Sequence, residues 1–313
     1  MTTSRIKLFF VTPLLACTFF VGTLTVVSPA GADPTGSSAQ PLPVSLAFTP
    51  TYQLPANLNH GGKVDVTAIS LDFNYNRALR QDLGVGLHAG YDFTDYNFTG
   101  PVSLAGSKPW GGIHRLELGT NVSYDITQKL SLYVAPSMQF SREDDADWGD
   151  SFGYGVVTSL SYDFTPKLTL GSGIAAFSNL KDTNVFPVLM VKWQLTDTLQ
   201  LANPLRPGPT GPAGLELSYS PVERWSVAGG ATYRSSRFRL GNGGMVKGGI
   251  GEANSLPVFS RFTWKPAKAF NMDLYAGAMF GGALYVNDSN GNRVTSDHYD
   301  PAPFASVAFS GHF

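Results

Sequence analysis

Past residue 43 the chain is a series of segments in which apolar and polar residues alternate strictly. Ile69, Leu71, Phe73 and Tyr75 alternate with Ser70, Asp72, Asn74 and Asn76, and Leu83, Val85, Leu87, Ala89, Tyr91 and Phe93 alternate with small or polar residues. The pattern returns from Leu116 to Tyr124, Leu130 to Phe140, Phe152 to Phe164, Val185 to Leu195 and Met272 to Phe280. Successive side chains of a strand point to opposite faces, so a period of two predicts strands with one apolar face each. No segment carries a convincing helical period.

Charge narrows the choice of sheet. Charged residues make up 14% of the chain, against roughly 25% in soluble domains. No apolar run after Val27 is long enough for a spanning helix, which needs about 20 residues. A transmembrane antiparallel barrel accounts for both facts: every second residue meets lipid and the others line a lumen, so mean hydropathy stays near zero, here −0.02. A soluble lipocalin-like barrel or a sandwich gives similar composition.

The connections separate the two. Short polar turns fall at 77–81, 126–129, 165–167, 196–198, 221–224 and 266–269, and longer stretches at 95–111, 141–150, 179–184, 203–213, 235–255 and 286–301. Short turns at one end and long loops at the other are the habit of outer-membrane barrels. The strand before each short turn also ends in an aromatic: Tyr75, Tyr124, Tyr162, Trp193, Tyr219 and Trp264. Such rings suit the headgroup level, body in the apolar layer and polar edge in water, and predict an interfacial girdle. Counting strands between connections predicts an up-and-down barrel of about 14, an even number, over residues 43–313. Twelve is the fallback if 199–203 and 213–220 fail, since the Pro-rich segment between them cannot join a ladder.

The N-terminus reads as an export signal. Arg5 and Lys7 precede an apolar stretch from Leu8 to Val27, and Ala30-Gly31-Ala32 offers a cleavage site, so residues 1–32 are expected to be removed and 33–42 to form a periplasmic segment. An uncleaved anchor is the rival reading. Removal takes away Cys17, the single cysteine, and leaves no thiol for a disulfide or a metal. With 22 basic residues, two of them in the signal, against 23 acidic ones, nothing invites nucleic acid.

The chain ends in Pro303-Phe304-Ala305-Ser306-Val307-Ala308-Phe309-Ser310-Gly311-His312-Phe313. Apolar or small residues at alternate positions, with Phe309 and a terminal Phe313, resemble the C-terminal assembly signal of bacterial outer-membrane β-barrels. The resemblance implies the outer membrane of a Gram-negative cell as the place, its lipid as surroundings and the barrel-assembly machinery as a partner. With its Pro/Gly segment followed by GLELSYS and later RFRL, the chain is also similar to a family of uncharacterised predicted outer-membrane barrels, which implies a fold and no activity.

Positions of opposite parity to the apolar face should line the lumen. Asp72, Arg115, Glu117, Lys192, Glu216, Arg261 and Asp273 are the candidates for a constriction, with Asp92, Asp125 and Asp163 beside them. Mixed signs fit two readings: a salt-bridge network that fills the lumen, or a constriction that selects solutes by charge.

Catalytic readings fare worse. A nucleophile–base pair two residues apart on one strand face, as in outer-membrane phospholipases, is missing: Leu116 follows His114 at that spacing and Gly90 follows His88. The five histidines have no metal-ligand spacing and are expected at rims or in loops. Glu143-Asp144-Asp145-Ala146-Asp147 could hold a divalent cation near lipid headgroups, though such a run is more often a solvated loop. Asn287 to Asn292 reads as a hairpin tip, and the Gly-rich stretch from Gly241 to Gly251 as a flexible loop without a phosphate-binding setting. The expectation is therefore a passive or weakly selective channel for small solutes, without enzymatic activity, cofactor or metal. Its alternative is a structural or surface-interaction barrel closed by its charge network, with an outer-membrane hydrolase third.

Overall fold

In a computed structural model of the protein, residues 43–106, 108–204, 208–211 and 213–313 are described. The signal peptide expected at 1–32 and the periplasmic segment expected at 33–42 both lie outside them. The strands are β1 (Val44–Asn57), β2 (Lys63–Arg80), β3 (Leu83–Thr99), β4 (Gly112–Asp125), β5 (Leu130–Glu143), β6 (Phe152–Thr165), β7 (Leu168–Asn179) and β8 (Asp182–Gln194). They continue with β9 (Leu199–Ala202), β10 (Gly214–Val222), β11 (Trp225–Thr232), β12 (Arg234–Arg239), β13 (Ile250–Ala267), β14 (Phe270–Asn287), β15 (Arg293–Tyr299) and β16 (Ala302–His312).

These segments make one closed antiparallel barrel of 14 wall positions. β12 continues β11 past a break at Tyr233, and both pair with β13. β15 and β16 share the same edge of β14, separated at Asp300–Pro301, where proline has no N–H to give to a ladder. The wall closes where β16 returns to β1, in register from Ser45 opposite His312 to Gln53 opposite Phe304. Closure removes the sheet edge that hydrocarbon could not satisfy, and the fold is that of an outer-membrane β-barrel.

Alternation in the sequence becomes two environments in the wall. On β2, Leu71 and Phe73 are 47% and 38% exposed, while Asp72 and Asn74 between them are 8% and 3%. The inward set is polar around most of the circumference. Two apolar clusters interrupt it, one of Phe259, Tyr275, Met279 and Phe304, the other of Val157, Ala175 and Phe177.

The connections differ from expectation in four places. The turn expected at 77–81 narrows to Gln81–Asp82, because β2 runs on to Arg80. The stretch 179–184 is no loop: Leu180 and Lys181, at φ 47° and 74°, make a two-residue turn between β7 and β8. That geometry is a type I′ hairpin, for which sequence normally offers Asn-Gly or Gly, so its usual signal is missing. Most of 235–255 and 286–301 is strand, leaving 240–249 and 288–292 as connections. β2, β13 and β14 reach 18 residues each, beyond the roughly 9–11 that cross a bilayer, so the surplus stands as a wall at the end opposite the short turns. The doubtful segments 199–203 and 213–220 are both wall strands, β9 and β10, paired over four residues.

Candidate functional site

Register decides which inward side chains meet. One row crosses the wall from Asp72 through Gly90, Glu117, Gln139 and Gly153 to Asn179. The row nearer the short turns runs from Asn74 through His88, Gly119, Ser137 and Gly155 to Phe177. Asn74 and His88, adjacent in it, hydrogen-bond at 2.9 Å between Oδ1 and Nδ1.

The charged candidates fall into two groups of different character. Arg115 lies opposite Asp92 and donates to its Oδ2 from Nε at 2.7 Å and Nη2 at 2.5 Å. These side chains keep 22% and 23% of their surface accessible. Arg234, exposed at the start of β12, adds a third charge close enough to act on both. The second group is sealed: Arg261 and Asp273 are 2% and 4% accessible. Arg261 grips Glu216 in a fork, Nε to Oε2 at 3.1 Å and Nη2 to Oε1 at 2.5 Å, and reaches Asp273 from Nη1 at 3.1 Å. Thr263 donates to the same Asp273 oxygen. Glu216 reaches Arg261 because the positions between them are Gly230 and Ala228. Asp72 and Glu117 occupy the row beside Arg115, whereas Lys192 stands apart, exposed on β8. Asp125 and Asp163 accept from Ser131 and Thr169 near the short turns.

A Pro-rich connection bends toward this interior. Of 203–213, Pro209 offers its carbonyl to Arg234 Nη1 at 2.5 Å, and Thr210, 2% exposed, accepts from Thr232 Oγ1 at 2.5 Å. Gly208 lies against Tyr275, whose hydroxyl would be 2.9 Å from a Cβ placed there. Since Thr232 and Tyr275 face inward, residues 208–210 pack on the inner wall. Proline content in the sequence shows only that 203–213 leaves the ladder; nothing there says to which side.

At the long-loop end, 100–111 and 240–249 fold over a shared apolar cluster of Leu104, Trp110, Phe238, Leu240, Leu284 and Val286. Trp110 meets Phe98 and Phe238 edge-on, with centroids 5.5 and 5.3 Å away. The acidic run holds this lid down. Glu143 accepts from Gly111 N–H and Gly241 N–H, and Asp145 from Gly243 N–H. From the other side, Arg239 donates to the carbonyls of Asp150 and Gly248. The Gly-rich stretch is therefore docked and not free, and β13 already begins at Ile250. Among the described residues no group of three or more His, Cys, Asp or Glu could hold a metal ion.

Tyr124, Tyr162, Trp193, Tyr219 and Trp264 stand exposed on the outer face, at 37–45%, and Tyr75 is half-buried. Phe309 is also exposed, and Phe313 exchanges backbone hydrogen bonds with Val44. His60 and His114 lie at the long-loop end, paired with Asp297 and Asp144. His88 corrects the expectation that histidines sit at rims: it is buried in the interior beside Asn74.

No family profile matches the chain, and no curated protein matches it. Among solved structures it is similar to the COG4313 outer membrane channel from Pseudomonas putida F1, at 10% identity and a TM-score of 0.48, over 90% of this chain and 99% of that one. It is similar also to the toluene transporter TbuX from Ralstonia pickettii, at 10% identity and 0.43, over 88% and 90%. LpxR from Salmonella typhimurium matches at 10% identity and 0.36, over 86% and 100%.

Proposed function

We propose that this barrel is a passive, weakly selective channel for small solutes across the outer membrane, narrowed by the inward Pro-rich segment. One observation carries the reading. Asp92, Arg115 and Arg234 are enclosed by the wall yet keep contact with water, which a lumen packed shut by salt bridges would deny them. The Glu216–Arg261–Asp273 group behaves in the opposite way and is structural in this reading, a brace across β10, β13 and β14. Asp72 and Glu117 tune the field near the narrow zone, and Lys192 contributes to it apart from them, on β8.

The outer aromatics form the girdle near the periplasmic headgroups, and Phe309 and Phe313 serve the assembly machinery, after export on residues 1–32. We assign no catalytic step; of the histidines on wall strands, His88 is engaged with Asn74, His114 with Tyr91 and Asp144, and His312 with Asn271.

The docked lid favours a second reading, a barrel whose loops meet a partner while the lumen stays shut. Single-channel recording of the refolded protein in a planar bilayer separates the two. Discrete steps whose ion selectivity changes in Arg115→Ala support the channel. A heat-modifiable barrel that inserts and stays silent sinks it.

A further inference from the structure

Three arginines of the interior can be compared edge by edge. Arg115 turns its Nε–Nη2 edge on Asp92, at 2.7 and 2.5 Å, and Arg261 turns the same edge on Glu216, at 3.1 and 2.5 Å. Arg234 has no such partner. Its Nη1 donates to the Pro209 carbonyl at 2.5 Å, which fixes the guanidinium. Among the described residues no carboxylate pairs with it at ion-pair distance, and its side chain is exposed to the water of the lumen. The Nε–Nη2 edge is therefore open.

The surroundings of that edge are rich in donors. Tyr96 and Tyr299 stand close enough to Arg234 to act on it, with Ser236 beside the first hydroxyl and Ser255 beside the second. All four are half-buried, so water reaches them as well. Asp92, the carboxylate that acts on Arg234 across this space, is already engaged by Arg115. The lid forms the roof: the Tyr96 ring meets Trp110 edge-on with centroids 5.7 Å apart and Phe238 at 6.4 Å. Asp92 lies on the same face of β3, toward the short turns.

We propose that this chamber binds the carboxylate of a small organic monoacid on the Nε–Nη2 edge of Arg234. The planar fork of a guanidinium matches the two oxygens of a carboxylate, and the lone pairs left on those oxygens can accept from the Tyr96 and Tyr299 hydroxyls. A neutral solute would leave the enclosed cation without a counter-charge. A dianion would bring its second charge toward Asp92. Because Pro209 already holds the guanidinium in place, little ordering is left for the ligand to impose. The proposal rests on the channel reading only in that the solute must enter the lumen.

The test is saturation-transfer NMR on the full-length refolded barrel with butyrate, beside its neutral isostere butyramide and the dianion succinate, with conductance recorded on the same preparation. The expected result is transfer to butyrate, weaker transfer to succinate and little to butyramide. Binding of butyrate should weaken roughly tenfold or more in Arg234→Gln, and also in Arg234→Lys, which keeps the charge and loses the fork. Heat-modifiability shows that each variant has folded; should Arg234→Gln fail to fold, the lysine variant and the comparison of butyrate with butyramide on the parent decide. Equal binding of butyramide, or butyrate binding unchanged in Arg234→Lys, overturns the site, as does inorganic phosphate that displaces butyrate at a lower concentration than butyrate itself needs. A conducting barrel that binds no butyrate overturns the site and leaves the channel reading standing. Binding without conductance supports the site and sinks the channel; absence of both removes both.

Discussion

The Glu143 carboxylate accepts the Gly241 N–H at 2.9 Å, across 98 residues of chain, while its other oxygen accepts the Gly111 N–H, also at 2.9 Å. One side chain at the end of β5 thus ties both lid loops to the wall. Glu143→Gln replaces one acceptor oxygen with a donor and loses the charge. We expect about 1–3 kcal/mol less stability for lid closure, with the barrel itself unaffected. Hydrogen exchange of amides in 240–249 should quicken roughly tenfold or more while the heat-modifiability midpoint stays put. Unchanged exchange would show that the apolar cluster alone holds the lid.

That cluster sets the second expectation. Trp110 is 1% exposed and its Nε1 has no acceptor among the described residues, so the indole contributes by packing against Phe98, Tyr96 and Phe238. Trp110→Phe should therefore cost little, because it keeps a ring and deletes an unmet donor. Trp110→Ala should cost about 3–5 kcal/mol of lid stability through the void it leaves. Limited proteolysis reads the difference: cleavage within 100–111 should appear in the alanine variant and not in the phenylalanine one. Cleavage in both would mean that the indole N–H has a partner in solution.

How much of this is written in the sequence depends on range. Wall strands are legible because lipid imposes the same demand on each of them, as in Leu71 and Phe73 against Asp72 and Asn74. The reach of each strand is less so, because once past the membrane a strand has no lipid face; β12 and β15 hide inside expected loops for that reason. The lid is illegible for another reason. Its apolar residues lie on loops far apart in sequence, and Trp110 and Phe238 become partners only when both loops fold over one mouth. The inward rows need more still: parity alone turns Glu117 inward, but Gln139, Phe177 and Asn179 come beside it only through the particular registers of β4 to β7. Glycines at 119, 153 and 155 are the available trace, and alone they signify only a small inward residue.

The hairpin tip at 288–292 carries a pH dependence. Asp288 accepts from the Asn292 side chain at 3.1 Å and from the Asn290 and Asn292 amides at 2.9 Å. The Asn292 side-chain amide, then these backbone donors, hold its carboxyl below the ordinary aspartate range. A carboxyl depressed in the folded state lends its stability above the unfolded value, about 3.9, and loses it as pH falls through the folded one. The tip should thus stay ordered at pH 5 and loosen only below about pH 4. A spin label on Asn290→Cys, followed by paramagnetic resonance, should sharpen over that acid window, and in Asp288→Asn it should be mobile at every pH. Sharpening centred near neutrality would exclude Asp288 as the cause.

The two arginines of the interior should fail differently. Arg261 is sealed between Glu216 and Asp273, so Arg261→Ala strands two carboxylates away from water and should destabilise the barrel by about 3–5 kcal/mol. Arg115 shares water with Asp92, and accessible pairs are worth only about 0–1 kcal/mol, so Arg115→Ala should fold nearly as well as the parent. Its effect should appear in permeation, because Asp92 then faces the lumen with Arg234 as its remaining nearby cation. Reversal potentials in a salt gradient should move toward cation selectivity in Arg115→Ala. Urea titration with heat-modifiability as the readout should show a lower midpoint in Arg261→Ala. An Arg115→Ala barrel that unfolds as readily as Arg261→Ala would make both clusters braces and remove the basis for a charge-tuned channel.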